Sequence, residues 1–160
     1  MARRVPGKPP PAWRAPPSVR PMELATALDF ARSHANAVLV TLKSDGRPQS
    51  SNVRQWTDDD GVLRVSVTDS RAKTRNLRRD PRVSLHVLAE DFWSYAVLEG
   101  EADFSPVAEA PDDATCDELV AYYRALSGEH PDWDDYRRSM VADRRLVLRV
   151  RPTYAYGMVP

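Results

Sequence analysis

Apolar residues recur along this chain with two different periods. Leu24, Ala27, Leu28 and Ala31 follow one another at helical spacing and give one apolar face, with Pro21 suited to the first position of that helix. From Ala37 the period changes. AVLVTL is a short apolar run, SDGR supplies a hairpin turn, and PQSSNVRQW reads as a return strand. Asp60 and Gly61 turn the chain into VLRVSVT, where Leu63, Val65 and Val67 face one way and Arg64, Ser66 and Thr68 the other. The segment DSRAKTRNLRRDPR predicts a short basic helix, capped by Asp69 or Ser70 and stopped by Pro81. VSLHVLA and WSYAVLEGEADF predict another strand pair. Residues 111–127 predict an amphipathic helix with Leu119, Tyr123 and Leu126 on its buried face, residues 132–142 a further helical turn or two, and RLVLRVRP a closing strand. Hairpins with a few capping helices, and no strand–helix alternation, predict a mainly β fold, a six-stranded antiparallel barrel.

Composition changes this picture at one end only. The chain has 160 residues and 18.0 kDa, enough for one domain, placed here over residues 21–160. Half of its 14 prolines fall in the first 21 residues, a stretch with several Lys and Arg and no acid. Residues 1–20 are therefore expected to form a disordered arm, unable to bury enough apolar surface to offset ordering. The 23 Lys and Arg balance 23 Asp and Glu, so net charge gives no reason to expect nucleic-acid or anionic-membrane partners. No apolar run reaches membrane-spanning length, and the basic start lacks the apolar stretch of a secretory signal, so the expected compartment is the cytosol. The single cysteine, Cys116, excludes an internal disulfide and a multi-thiolate zinc site. Its acidic neighbours Asp117 and Glu118 would raise the thiol pKa if close, so no nucleophile is expected there.

The chemistry is narrowed first by what is missing. No dinucleotide-binding glycine loop, Walker loop or nucleophile elbow occurs. His34, His86 and His130 lie far apart and read as satisfied structural histidines, and no metal site is expected. The acid pairs Asp134–Asp135 and Asp58–Asp60 read as solvated surface. The positive signal is Arg71-Ala72-Lys73-Thr74-Arg75-Asn76, which follows a strand and opens a helix. Free amides, the helix dipole, two cations and a hydroxyl suit a phosphate, although by itself the segment serves equally as a solvated basic helix. Gln49, Ser50, Ser51 and Asn52 could read the edge of a heteroaromatic ring, or could be a polar strand face. Trp93 and Tyr95, read as two apart on one strand, suit a core or a subunit interface. Together these suggest a phosphorylated planar cofactor against a barrel, with the protein supplying position and electrostatics.

The order RPQSSNV, then RAKTRNLRRDPRVS, then WSYAVLEGEADF, resembles the pyridoxamine 5'-phosphate oxidase-like split-barrel flavoproteins. The later stretch YRALSGEHPDWDDYRRSMVADRRLVLRVRPTYAYG is similar to the actinobacterial branch that uses the deazaflavin coenzyme F420. The likeness covers about residues 24–158 and leaves the arm unexplained. It implies a six-stranded split β-barrel of the FMN-binding type and a homodimer with the cofactor between two barrels. Arg71, Lys73 and Thr74 would hold the cofactor phosphate, with Ala72 offering a backbone contact and Asn76 supporting the loop. Gln49, Ser51, Asn52 and Ser66 would line the ring and ribityl region, and Trp93 and Tyr95 would come from the partner chain. The implied reaction is hydride transfer between coenzyme F420 and a small electron-poor acceptor such as an enone or quinone. No catalytic residue is assigned, beyond Tyr95 as a suggested proton donor. An FMN-dependent oxidase of the same fold is the alternative, with Arg54 or Arg149 supplying a second anion site. Alternatives of other classes are a non-catalytic cofactor carrier and a nucleic-acid-binding protein using the 71–82 helix and the basic arm.

Overall fold

Alternation of inward apolar and outward polar side chains builds the strands of this chain, whose computed structural model describes residues 21–160. The expected arm, residues 1–20, lies outside the described residues. In chain order the elements are α1 (Leu24–Ser33), β1 (Asn36–Leu42), β2 (Pro48–Arg54), β3 (Trp56–Thr57), β4 (Leu63–Thr68) and α2 (Ala72–Arg79). They continue with β5 (Arg82–Leu88), β6 (Tyr95–Phe104), α3 (Ala114–Ser127), α4 (Trp133–Ala142) and β7 (Arg145–Met158). Every strand pairing is antiparallel, in the order β2-β1-β5-β6-β7-β4-β3. Leu39, Leu63, Leu85, Leu98, Leu146 and Leu148 are fully buried inside, and Ala27, Phe30 and Ala31 of α1 join the same core.

The sheet has seven strands where six were expected, and the reason is Gln55. β2 pairs with β1 at one edge of the sheet, whereas β3 pairs with β4 at the other. Gln55 is the one residue between them, so the two edges of the sheet must meet there and the sheet curls into a barrel. Its side chain is 1% exposed and fully engaged. The amide donates to Ala31 O at 2.6 Å and His34 O at 2.7 Å, both at the C-terminal end of α1, while its carbonyl accepts from Thr57 Oγ1 at 2.7 Å. These bonds satisfy carbonyls that a helix end leaves open. Above this corner no ladder joins β2 to β4, so the barrel is split along one seam.

Other boundaries move for local reasons. Pro21 does not open the first helix; it bridges to Tyr156, and Met22 N donates to Ala155 O, on the part of β7 that lies beyond the end of β4. Neither Asp69 nor Ser70 caps α2: Arg71 occupies the cap position without a side-chain bond, because the Asp69 carboxylate is drawn to Arg78 and Arg144. The helix expected from residue 111 starts at Ala114, where Asp113 accepts from Cys116 N at 2.7 Å. Trp93 is not on a strand but in the turn before β6, held by Asp91. The closing strand runs past Pro152 to Met158, because a bulge opposite Glu99 and Gly100 accommodates one extra residue, Thr153, and the proline without a ladder N–H. That extra residue turns Ala155 inward and Tyr154 and Tyr156 outward.

Helices α3 and α4 form a hairpin over the outer face of β4 and β7, on a second apolar cluster of Cys116, Leu119, Val120, Tyr136, Met140 and Val147. Arg64 donates to Glu118 Oε1 at 2.9 Å, Arg149 donates to both Glu118 oxygens, and Asp58 closes on Arg64. Asp58, read as solvated, is thus an enclosed ion-pair partner, with 14% of its side chain exposed. Burial pushes the Cys116 thiol up to about 11, with Asp113 adding to it, which leaves it unreactive. Asp117 contributes less, and Glu118 turns away to the arginines. His34 Nδ1 lies 2.8 Å from Phe30 O, and His130 accepts from Asp132 N. His86 differs: its Nε2 is enclosed without a partner and its ring stands edge-on to Tyr95.

Candidate functional site

The seam between β2 and β4 opens into a cavity of about 590 Å³. Asn52 and Arg54 come from β2, Ser66 and Thr68 from β4, Arg71 and Lys73 from α2, and Arg145 from β7, with Tyr122, Tyr123 and Tyr136 closing it from the α3–α4 hairpin. Four lining residues are cations and none is a carboxylate, in a chain of zero formal net charge. A second hollow of about 410 Å³ lies elsewhere on the sheet and carries both Glu99 and Glu101. Its charge is unsuited to the anion chemistry legible in the sequence.

The cationic end is built by the turn from β4 into α2. Arg71 N donates to Thr68 O at 3.2 Å, and Thr74 Oγ1 donates to the same carbonyl at 2.9 Å. Asn76, buried beneath, donates to Thr41 Oγ1 at 3.0 Å. These bonds fix the first turn of α2, whose leading amides no side chain caps. Burial, and then the charges of Arg71 and Arg145, hold the Lys73 ammonium below its ordinary range. An anion placed among them would reverse the effect of the crowding.

The opposite wall is braced by Tyr122 and Arg54. Tyr122 donates to Arg54 O at 2.7 Å, and the Arg54 guanidinium donates to Leu126 O at 3.1 Å and Ser127 Oγ at 3.3 Å. Burial raises the Tyr122 phenol above its usual value, so it keeps its proton at neutral pH. Arg149, the other candidate for a second anion site, is committed to Glu118 and Asp103 and does not line the cavity.

Of the residues singled out in the sequence, Asn52, Ser66, Arg71 and Lys73 line this cavity together, and Ala72 is the exposed first residue of α2. Thr74 and Asn76 are buried and act as braces. Gln49 and Ser51 face the opposite side of β2, where Gln49 donates to Ser51 Oγ at 2.7 Å and accepts from Thr41 Oγ1 at 3.1 Å. The signal that places them was present: Val53, the one apolar residue of β2, shares their parity and points inward. Trp93 and Tyr95 do not line the cavity of their own chain. Tyr122 and Tyr136 were missed, since only the position of the α3–α4 hairpin brings them to the seam, and so was Arg145, which the pairing of β7 with β4 sets opposite Thr68.

Among the described residues, no helix is long and apolar enough to cross a membrane, and no three His, Cys, Asp or Glu side chains gather as a metal site. The family model for pyridoxamine 5'-phosphate oxidase matches residues 24–158. Among solved structures, an F420 reductase is 25% identical, with a TM-score of 0.60 over 79% of this chain and 93% of that one. A conserved hypothetical protein from Mycobacterium tuberculosis is 20% identical, with a TM-score of 0.66 over 91% and 90% of the two chains. A FAD-binding protein from Mesorhizobium loti is 16% identical, with a TM-score of 0.61 over 86% and 95%. The latter two likenesses concern the fold alone. The split seam, the cationic turn after β4 and the extent of the family match lead to one conclusion: this chain belongs to the pyridoxamine 5'-phosphate oxidase family of split-barrel proteins.

Proposed function

We propose that this chain is a coenzyme F420-dependent oxidoreductase that moves hydride between the deazaflavin and a small electron-poor acceptor such as an enone or quinone. The observation that carries the reading is a cavity with four cations and no carboxylate, opening at an uncapped helix N-terminus. The 25% identity to an F420 reductase supports the deazaflavin over other occupants. Arg71, Lys73 and the first amides of α2 would hold the phosphate. Asn52 and Ser66 would present an amide and a hydroxyl to the ring system without adding charge. The bound deazaflavin supplies the hydride-carrying carbon, and the chain supplies position, charge neutralisation and shelter from water.

An FMN-dependent oxidase is the alternative reading, because Arg54 at the cavity wall would supply a second anion site for a phosphorylated amine substrate. Paired fluorescence titrations with coenzyme F420 and FMN decide between them. Tight F420 binding with weak FMN binding supports the reductase; the reverse order moves the chain to the FMN-dependent oxidases. Tight F420 binding with no turnover of any acceptor would indicate a carrier. Lys73→Ala should weaken cofactor binding by roughly 1–3 kcal/mol, the range for losing a charge-assisted hydrogen bond, with little change in folding. Wild-type affinity in that variant would refute the phosphate assignment.

A homodimer is part of the same proposal. Among the described residues, the exposed large apolar side chains are Tyr154 and Met158 of β7 and Phe92 and Trp93 in the turn before β6. Exposed apolar side chains of this kind suit a second copy of the chain. Sedimentation should give twice the 18.0 kDa chain mass, and Tyr154→Arg should shift it toward the monomer. A wild-type monomer at micromolar concentration would remove the dimer.

A further inference from the structure

Arginines in this fold are habitually paired. Arg64 and Arg149 share Glu118, Arg78 and Arg144 share Asp69, and Arg82 and Arg124 hold Asp80 and Glu129. Arg145 faces the cavity with its pairing incomplete. Its Nε is enclosed and has no hydrogen-bond partner, and its Nη1 reaches Ser66 Oγ only at 3.5 Å. The nearest carboxylate, Asp143, is 3.9 Å from Nε, and that side chain is more than half exposed to water. A guanidinium presents five donors in a rigid fork, so Arg145 carries unspent donor capacity into the same space as Lys73.

Its position is also fixed with unusual care. Arg144, immediately before it, adopts a left-handed backbone with φ of 51°, which a non-glycine residue adopts only when its surroundings hold it there. The holding group is Asp69, whose N–H donates to Arg144 O at 3.1 Å and whose carboxylate accepts from the Arg144 guanidinium at 3.2 Å. Arg78 of α2 lies 2.6 Å from that carboxylate. One acid therefore ties the start of β7, which carries Arg145, to α2 and the turn before it, which carry Lys73 and Arg71. The hydrogen bonds from Arg78 and then Arg144 hold the Asp69 carboxyl below its ordinary range, so the tie persists across neutral pH.

We propose that Arg145 is a third cation of the anion corner, donating from the start of β7, beside the end of β4, to the same phosphate group that Arg71 and Lys73 face. This rests on reading the cavity as the seat of a phosphate-bearing cofactor, and it adds a specificity residue from a different part of the fold. Inorganic phosphate is the probe, titrated into the full chain while the Lys73 side-chain and amide resonances are followed by NMR. Wild-type protein should show saturable shifts at Lys73. Arg145→Gln should weaken phosphate binding by about tenfold or more and raise the Lys73 pKa toward its ordinary value. Arg145→Lys keeps the charge and loses the fork, so its affinity should fall between the two; it also serves if the glutamine variant does not fold. Unchanged phosphate affinity in Arg145→Gln, or no phosphate response at Lys73 in the wild type, would overturn the assignment. Phosphate binding through Arg145 with no affinity for F420 or FMN would preserve it while removing the cofactor reading.

Discussion

Gly100→Ala should lower the stability of this chain by about 3 kcal/mol or more, the scale at which a side chain is forced into space already filled by backbone. A Cβ at this position would stand 2.0 Å from Arg151 O and 2.7 Å from Pro152 Cα. Neither neighbour is the movable end of a side chain, so the strand itself must shift. The strand cannot do so cheaply, because Gly100 faces the bulge that sets the register between β6 and β7. Gly46→Ala provides the contrast. Nothing lies within 4 Å of its Cβ, and its φ of 82° leaves only a conformational cost of roughly 1–2 kcal/mol. Urea midpoints for the two variants test the argument, and a Gly100 variant no weaker than the Gly46 variant would sink it.

Glu118→Ala should cost about 2–3 kcal/mol, somewhat less than for a fully buried ion pair because water still reaches part of the cluster. The carboxylate bridges Arg64 of β4 and Arg149 of β7, so its loss leaves two half-buried guanidiniums facing each other and releases α3 from the barrel. Burial alone would raise the Glu118 pKa, but the hydrogen bonds from Arg149 and Arg64 outweigh it and hold the carboxyl below 4.5. A depressed folded-state pKa means stability that is complete above the unfolded value and lost as pH falls through the folded one. Wild-type stability should therefore decline on the acid side of about pH 4.5, with part of that slope absent from Glu118→Ala. Equal acid slopes, or a loss well under about 1 kcal/mol at neutral pH, would show that Asp58 and Asp103 suffice for the two arginines. Because Tyr122 rides on the same helix and donates to Arg54, this variant should also loosen the cavity wall.

The parts of this architecture legible in the sequence are those with local causes. Alternation in VLRVSVT and VSLHVLA sets which residues meet the core, and the basic turn after β4 carries its own anion chemistry. What sequence reading missed depends on distant partners. The break at Gln55 has no local signal, since its meaning lies in the carbonyls of Ala31 and His34. Arg145 stands on a readable strand, yet its place in the cavity depends on the register that sets it opposite Thr68 of the distant β4. Asp69 looks like a cap from its place before a helix and becomes a tie only because Arg144 arrives from the far end of the chain. On β2 a run of four polar residues conceals the inner face, and Val53 alone reveals it.

The barrel is fastened at a single covalent corner and left unlaced above it, which sets the cost of admitting a ligand. β2 and β4 approach each other without a ladder between them, so a guest entering the seam breaks no strand pairing. The bonds of Gln55 tie the two edges together at that corner. Selection on this fold can then reshape the guest's surroundings, residue by residue along two strand edges, without touching the stability of the sheet.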